Sequence, residues 1–153
     1  MQAGRANSME PVAEQAESDA RSPLAEALEA VGDRWTLLLV EALLDGPLRF
    51  NDLQAHVPGI AANILTQRLR RLEDQALVVA DLYSERPPRY VYELTAAGRE
   101  LAGALRVLAD WGARHSSAEG VRHELCGTPL DVRWYCPTCE RTVDPGADEL
   151  HFA

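Results

Sequence analysis

The chain has 153 residues, 46% of them apolar, with 15 basic against 24 acidic side chains and a formal charge of −9. That is enough for one domain with a real core plus an appendage, and the apolar share excludes wholesale disorder. The acidic balance argues against binding nucleic acid through bulk positive charge.

Residues 1–21 are small, polar and acidic without a lasting period, and are expected to form a disordered tail. Order is expected from Ser22-Pro23, a cap followed by proline at the first helical position, with a helix running to Gly32. A second helix is predicted over about Arg34–Leu44, with Trp35, Leu38, Leu39, Ala42 and Leu43 on one face, ending at Asp45-Gly46-Pro47. A third runs from near Asn51 to His56, and Pro58-Gly59 turns the chain. In the fourth, about Ala61–Gln75, Leu65, Leu69, Leu72 and Ala76 recur at helical spacing. Asn63, Gln67, Arg70 and Asp74 point the opposite way, flanked by Thr66 and Arg71. Two short strands, Val78–Tyr83 and Tyr90–Leu94, surround a Ser-Glu-Arg-Pro-Pro-Arg tip. Thr95 then caps a long helix to about Ser116, with Gly98, Leu101, Leu105, Leu108 and Trp111 along one stripe.

A charged helix face is most often a solvated surface and nothing more. Here a Pro-Gly turn precedes the fourth helix, an arginine-tipped hairpin follows it, and the outward set mixes Asn, Thr, Gln and Arg, whose groups suit base edges. The charge is also uneven. Acids dominate residues 1–22 and 117–153, while Arg68, Arg70, Arg71, Arg86 and Arg89 gather around the fourth helix and hairpin. The candidate interface with double-stranded DNA is therefore Asn63, Thr66, Gln67, Arg68, Arg70, Arg71, Arg86 and Arg89. Gln67 and Arg70 are expected to read bases, and Arg68, Arg71, Arg86 and Arg89 mostly to hold phosphates. Every basic side chain is Arg, which reads as compositional bias more than as selection for planar contacts.

From Ser22 to His115 the chain resembles the HxlR-type branch of the MarR-like winged-helix transcription regulators. The resemblance is carried by Trp35, Leu44-Asp45-Gly46-Pro47, Arg49-Phe50, Leu53, Pro58-Gly59-Ile60 and Leu65-Thr66-Gln67-Arg68-Leu69. It continues through Leu72-Glu73, Leu77-Val78, Tyr83, Pro87-Pro88-Arg89, Tyr92, Leu94-Thr95, Gly98 and Trp111-Gly112. It implies a homodimer whose fourth helix enters the major groove while the wing reaches the minor groove or phosphates. Redox-sensing members carry Cys-Pro near the start of the first helix, and this chain has Ser22-Pro23, so that thiol switch is not available. Ala61 stands where the family often has Ser, so that cap must come from elsewhere, and Ala80 stands where it often has Arg.

The three cysteines fall between Cys126 and Cys139, an odd cluster that suits metal better than a disulfide framework. His123-x-x-Cys126 and Cys136-Pro137-Thr138-Cys139 have the spacing of zinc ligands, with Gly127 free to turn after the first pair. Thr128–Tyr135 is expected to form a strand pair, with Trp134 and Tyr135 covering one structural zinc ion. His115 and His151 are rivals to His123, and a Cys136–Cys139 redox pair is the alternative.

The fold expected is thus mainly α with a small β-hairpin wing: a winged helix-turn-helix domain over 22–116 and a zinc-ribbon-like segment over 117–153. The leading function is a sequence-specific DNA-binding transcription regulator, homodimeric through the first and last helices, on an inverted-repeat operator. The alternatives are a zinc- or redox-responsive regulator and a protein-interaction module; any small-molecule effector is unassigned. No Ser/His/Asp set, phosphate loop or paired carboxylates stand at useful spacing, so no enzyme is expected. With no secretory signal and no apolar run of about 18 residues, the protein is expected in the cytoplasm.

Overall fold

The computed structural model describes residues 22–144 and 146; the expected tail over 1–21 and the rival ligand His151 lie outside them. Helix α1 (Pro23–Val31) starts where Ser22 Oγ accepts a hydrogen bond from Ala25 N at 3.1 Å, and its proline leaves no orphan N–H. Helix α2 (Arg34–Leu43) starts on Asp33, whose carboxylate accepts from Trp35 N and Thr36 N. Its buried face is Thr36, Leu39, Val40 and Leu43, so the predicted face is corrected by a partial roll that leaves Leu38 exposed. Thr36 can be buried because its hydroxyl donates to Asp33.

Strand β1 (Leu48–Arg49), α3 (Phe50–His56) and α4 (Ala62–Asp74) follow, then β2 (Val78–Glu85) and β3 (Pro88–Leu94). The sheet has the order β1-β3-β2 and is antiparallel, with Leu48 opposite Tyr92 and Val78 opposite Leu94. The hairpin is longer than expected. Ser84 pairs with Arg89 and Glu85 with Pro88, leaving Arg86 and Pro87 as the turn. Helix α4 ends at Asp74, so Ala76 does not continue its apolar face. Ala76 takes a positive φ of 54°. The chain leaves the helix there because Ala76 N donates to Glu73 O and Leu77 N to Leu72 O, both at 2.9 Å.

Helix α5 (Ala96–Arg114) is capped by Thr95, which accepts from Gly98 N at 3.1 Å and donates to Ala76 O at 2.7 Å. Gly98 is required by close approach: a Cβ there would lie 2.2 Å from Leu77 O. The core gathers Leu39, Leu43, Leu53, Leu65, Leu69, Leu72, Val78 and Leu94 between the helices and the sheet. Leu101 and Leu105 pack against it from α5.

Beyond α5, strands β4 (Trp134–Cys136) and β5 (Arg141–Val143) pair antiparallel, and Arg122 bridges Pro129. The expected strand pair over Thr128–Tyr135 is thereby corrected. The partner of Trp134–Cys136 comes after the Cys-Pro-Thr-Cys turn, not before it. No helix among the described residues is long and apolar enough to cross a membrane.

Candidate nucleic-acid interface

Burying Leu65, Leu69 and Leu72 fixes the roll of α4 about its axis. The same roll leaves Asn63, Gln67, Arg70 and Asp74 exposed on the other side. Asn63, Thr66, Gln67, Arg68, Arg70, Arg71 and Asp74 together line a surface hollow of about 370 Å³. The Thr66 hydroxyl bonds back to Ala62 O at 2.9 Å, so its methyl is the part left for a ligand. Ala61 caps the helix without a side-chain hydrogen bond.

A second groove, of about 350 Å³, runs between α4 and the wing, with Thr66, Arg70 and Glu73 on one wall and Ala80, Tyr90 and Tyr92 on the other. Burial raises the Tyr92 phenol above its usual range, with Glu73 adding to the effect, so this hydroxyl stays a neutral donor. Arg86 and Arg89 are exposed at the tip, and neither they nor Arg70 forms an ion pair among the described residues.

Arg68 and Arg71 are placed differently from their neighbours. Arg68 Nε donates to Asp33 Oδ1 at 2.9 Å, and Arg71 donates to the Glu29 carbonyl at the end of α1. Partial burial alone would raise the Asp33 carboxyl. Hydrogen bonds from Thr36 and Arg68 outweigh that and hold it below the ordinary 3.8. Both arginines therefore face the α1–α2 junction, while Gln67 and Arg70 face out.

One basic group beside the wing, Arg49, lies outside the candidate set drawn from the sequence. The Arg49 guanidinium lies over the Tyr83 ring at 4.7 Å, in a cleft of about 490 Å³ that also holds Asn51, Arg89 and Tyr92. Pairing of β1 with β3 puts Arg49 beside the wing, and a two-residue strand is too short to show a period.

The proposed metal ligands stand as two pairs. His123 Nδ1 lies 3.2 Å from Cys126 Sγ, in a turn closed by Gly127 N donating to His123 O at 2.7 Å. Cys136 and Cys139 share the second turn. The Cys139 and Thr138 N–H groups lower the Cys136 thiol, and the neighbouring Cys136 raises that of Cys139. Hydrogen bonds from Thr128 lower Cys126. Among the described residues no three His, Cys, Asp or Glu side chains converge as a metal site. The two turns nevertheless match: the residue after each second ligand, Gly127 (φ 67°) and Glu140 (φ 50°), is left-handed.

Residues 30–120 match the model of the HxlR-like helix-turn-helix family. The chain is 40% identical over 122 residues to an HTH-type transcriptional regulator of Mycobacterium tuberculosis, covering 76% of this chain and 77% of that one. The structure of the HTH-type transcriptional regulator YtcD superimposes with a TM-score of 0.59 at 35% identity, over 64% of this chain and all (100%) of the other. That of the redox regulator HypR in its reduced form gives 0.58 at 33% identity, over 61% and 93%.

Proposed function

The chain belongs to the HxlR family of DNA-binding helix-turn-helix transcriptional regulators, and on that footing we propose that it reads an inverted-repeat operator as a homodimer. The observation that carries this reading is the outward row Asn63, Gln67 and Arg70 on α4, with Arg70 also lining the groove that separates the helix from the wing strands. Gln67 and Arg70 take base edges, Asn63 and the Thr66 methyl approach beside them, and Arg86 and Arg89 hold flanking phosphates.

Dimerisation is supported by apolar side chains that their own chain leaves uncovered. Leu24 and Leu28 of α1 and Leu108 and Trp111 of α5 are each more than half exposed. Two α4 helices related by a twofold axis meet half-sites about 34–36 Å apart. One structural zinc ion per chain, on His123, Cys126, Cys136 and Cys139, completes the proposal. It rests on the donor chemistry and the two matching turns. Four protein ligands leave no open position, so the ion serves folding.

Sequencing the DNA that the purified chain retains from a random pool is the test. An inverted repeat whose retention falls steeply with salt is expected, and no enrichment, or salt-insensitive retention, would sink the reading. A monomer in light scattering would remove the dimer.

Exposure of Cys126 and Cys139 favours a second reading, in which the cluster senses zinc or oxidant and DNA binding is its output. Loss of DNA affinity on metal removal or oxidation, with the dimer intact, would put that reading first.

A further inference from the structure

We propose that Arg68 is a positioning residue. It ties α4 to the α1–α2 junction and orients Gln67, and it does not grip a phosphate. This rests on the reading of α4 as the DNA-reading helix.

Of the three arginines on α4, Arg68 alone is bonded, among the described residues, to a carboxylate from a distant part of the chain, 35 residues away. The two side chains are only 22% and 33% exposed, so the pair is partly shielded from water and salt. The carboxylate is itself fixed, because Asp33 accepts from Trp35 N at 3.1 Å and Thr36 N at 3.2 Å as the cap of α2. Arg71, further along α4, anchors to the Glu29 carbonyl on the same side. At its other end Arg68 Nη1 donates to Gln67 Oε1 at 3.2 Å. Two donors cannot face one another, so the Gln67 amide presents its oxygen to Arg68 and its NH₂ outward.

A chain of contacts thus runs from a helix cap through Arg68 to the side chain expected to read a base. A guanidinium neutralised by a neighbouring carboxylate also displaces few counterions from DNA. Arg68 therefore acts on specificity through Gln67, and its contribution to salt-dependent affinity is small. The sequence alone suggests the opposite, since Arg68 sits among arginines suited to phosphates.

The test uses the full chain and the sequence that wild type enriches, with affinities measured across a salt series. Arg68→Ala, Arg68→Lys and Asp33→Asn are each expected to weaken binding about tenfold and to relax preference at the base pair read by Gln67. For the two Arg68 variants the salt slope should stay that of wild type. Combining Arg68→Ala with Asp33→Asn should weaken binding no further than the stronger single change. Asparagine retains a cap acceptor for α2, and Arg68→Lys retains the charge, so each variant reports on the geometry of the pair. A phosphate role predicts otherwise: Arg68→Ala shallows the slope by about 0.9 per phosphate, Arg68→Lys binds nearly as wild type, and Asp33→Asn tightens binding or leaves it unchanged. Any of those three results overturns the proposal while the DNA reading stands. A wild-type chain that enriches no sequence sinks both.

Discussion

Between Val31 and Leu94 the twelve buried apolar side chains are at most 7% exposed, whereas among the described residues from Ser117 onward none is buried. Leu125, Trp134 and Tyr135 there are 89%, 55% and 62% exposed. Both regions hold defined turns and antiparallel pairs, but only the first has an interior to offset the entropy of ordering the backbone. The winged helix is therefore expected to stand by hydrophobic burial alone, and the C-terminal segment to depend on something outside its own apolar groups.

Metal removal should separate the two most sharply. If zinc joins the His123–Cys126 and Cys136–Cys139 turns, a chelator should abolish amide protection over 121–143 and leave that of α2 and α4 unchanged. Structural zinc carries apparent binding free energies of about 10–16 kcal/mol, far more than this segment's apolar groups supply. Zinc below roughly half an equivalent in protein purified without chelator would falsify the site.

Core substitution probes the other side of the contrast. Leu69, only 2% exposed on α4, should cost about 2–5 kcal/mol on change to Ala in chemical denaturation. Trp134→Ala should move the same transition by under about 0.5 kcal/mol, because that ring covers none of the body's core. Equal costs for the two would mean that the regions share one cooperative unit.

The body was legible in sequence because its signals are local. Leucines at helical spacing, the caps Ser22 and Thr95, and the Pro58-Gly59 turn all act within a few residues. The parts that stayed hidden depend on distant partners. β1 exists only because β3 pairs with it. Thr36 is buried where Leu38 was expected because Asp33 satisfies its hydroxyl. The pairing of Arg68 with Asp33 was hidden because no local pattern reveals a carboxylate 35 residues away. The cysteine spacing was plain, yet spacing alone does not bring two turns together.

Within the interface, side chains of α4 and of the wing should differ in kind. Gln67→Ala or Arg70→Ala should cost about 1–3 kcal/mol and relax preference at one base pair. Arg86→Ala or Arg89→Ala should weaken all sequences alike and shallow the salt slope by about 0.9 for each phosphate no longer neutralised. A Gln67→Ala variant that discriminates among operator variants as wild type does would remove Gln67 from base reading.

The smallest effect compares the regions at two like residues. Ala76 closes α4 at φ 54° and Glu140 follows the second cysteine turn at φ 50°, a conformation that glycine adopts with no Cβ penalty. At Ala76 the left-handed geometry costs roughly 1–2 kcal/mol. Glycine removes that strain but adds about 0.4–1 kcal/mol of unfolded-state entropy. The exposed methyl contributes little burial, so Ala76→Gly should stabilise the body by about 0.5–1 kcal/mol, seen as a higher denaturant midpoint at unchanged slope. Glu140→Gly relieves the same strain outside the core, so it should leave the body's midpoint where it was and slow only the metal-dependent exchange of β4 and β5. A shift of the body's midpoint by Glu140→Gly as large as that from Ala76→Gly would show that the segment unfolds with the winged helix, and the division between the two regions would fail.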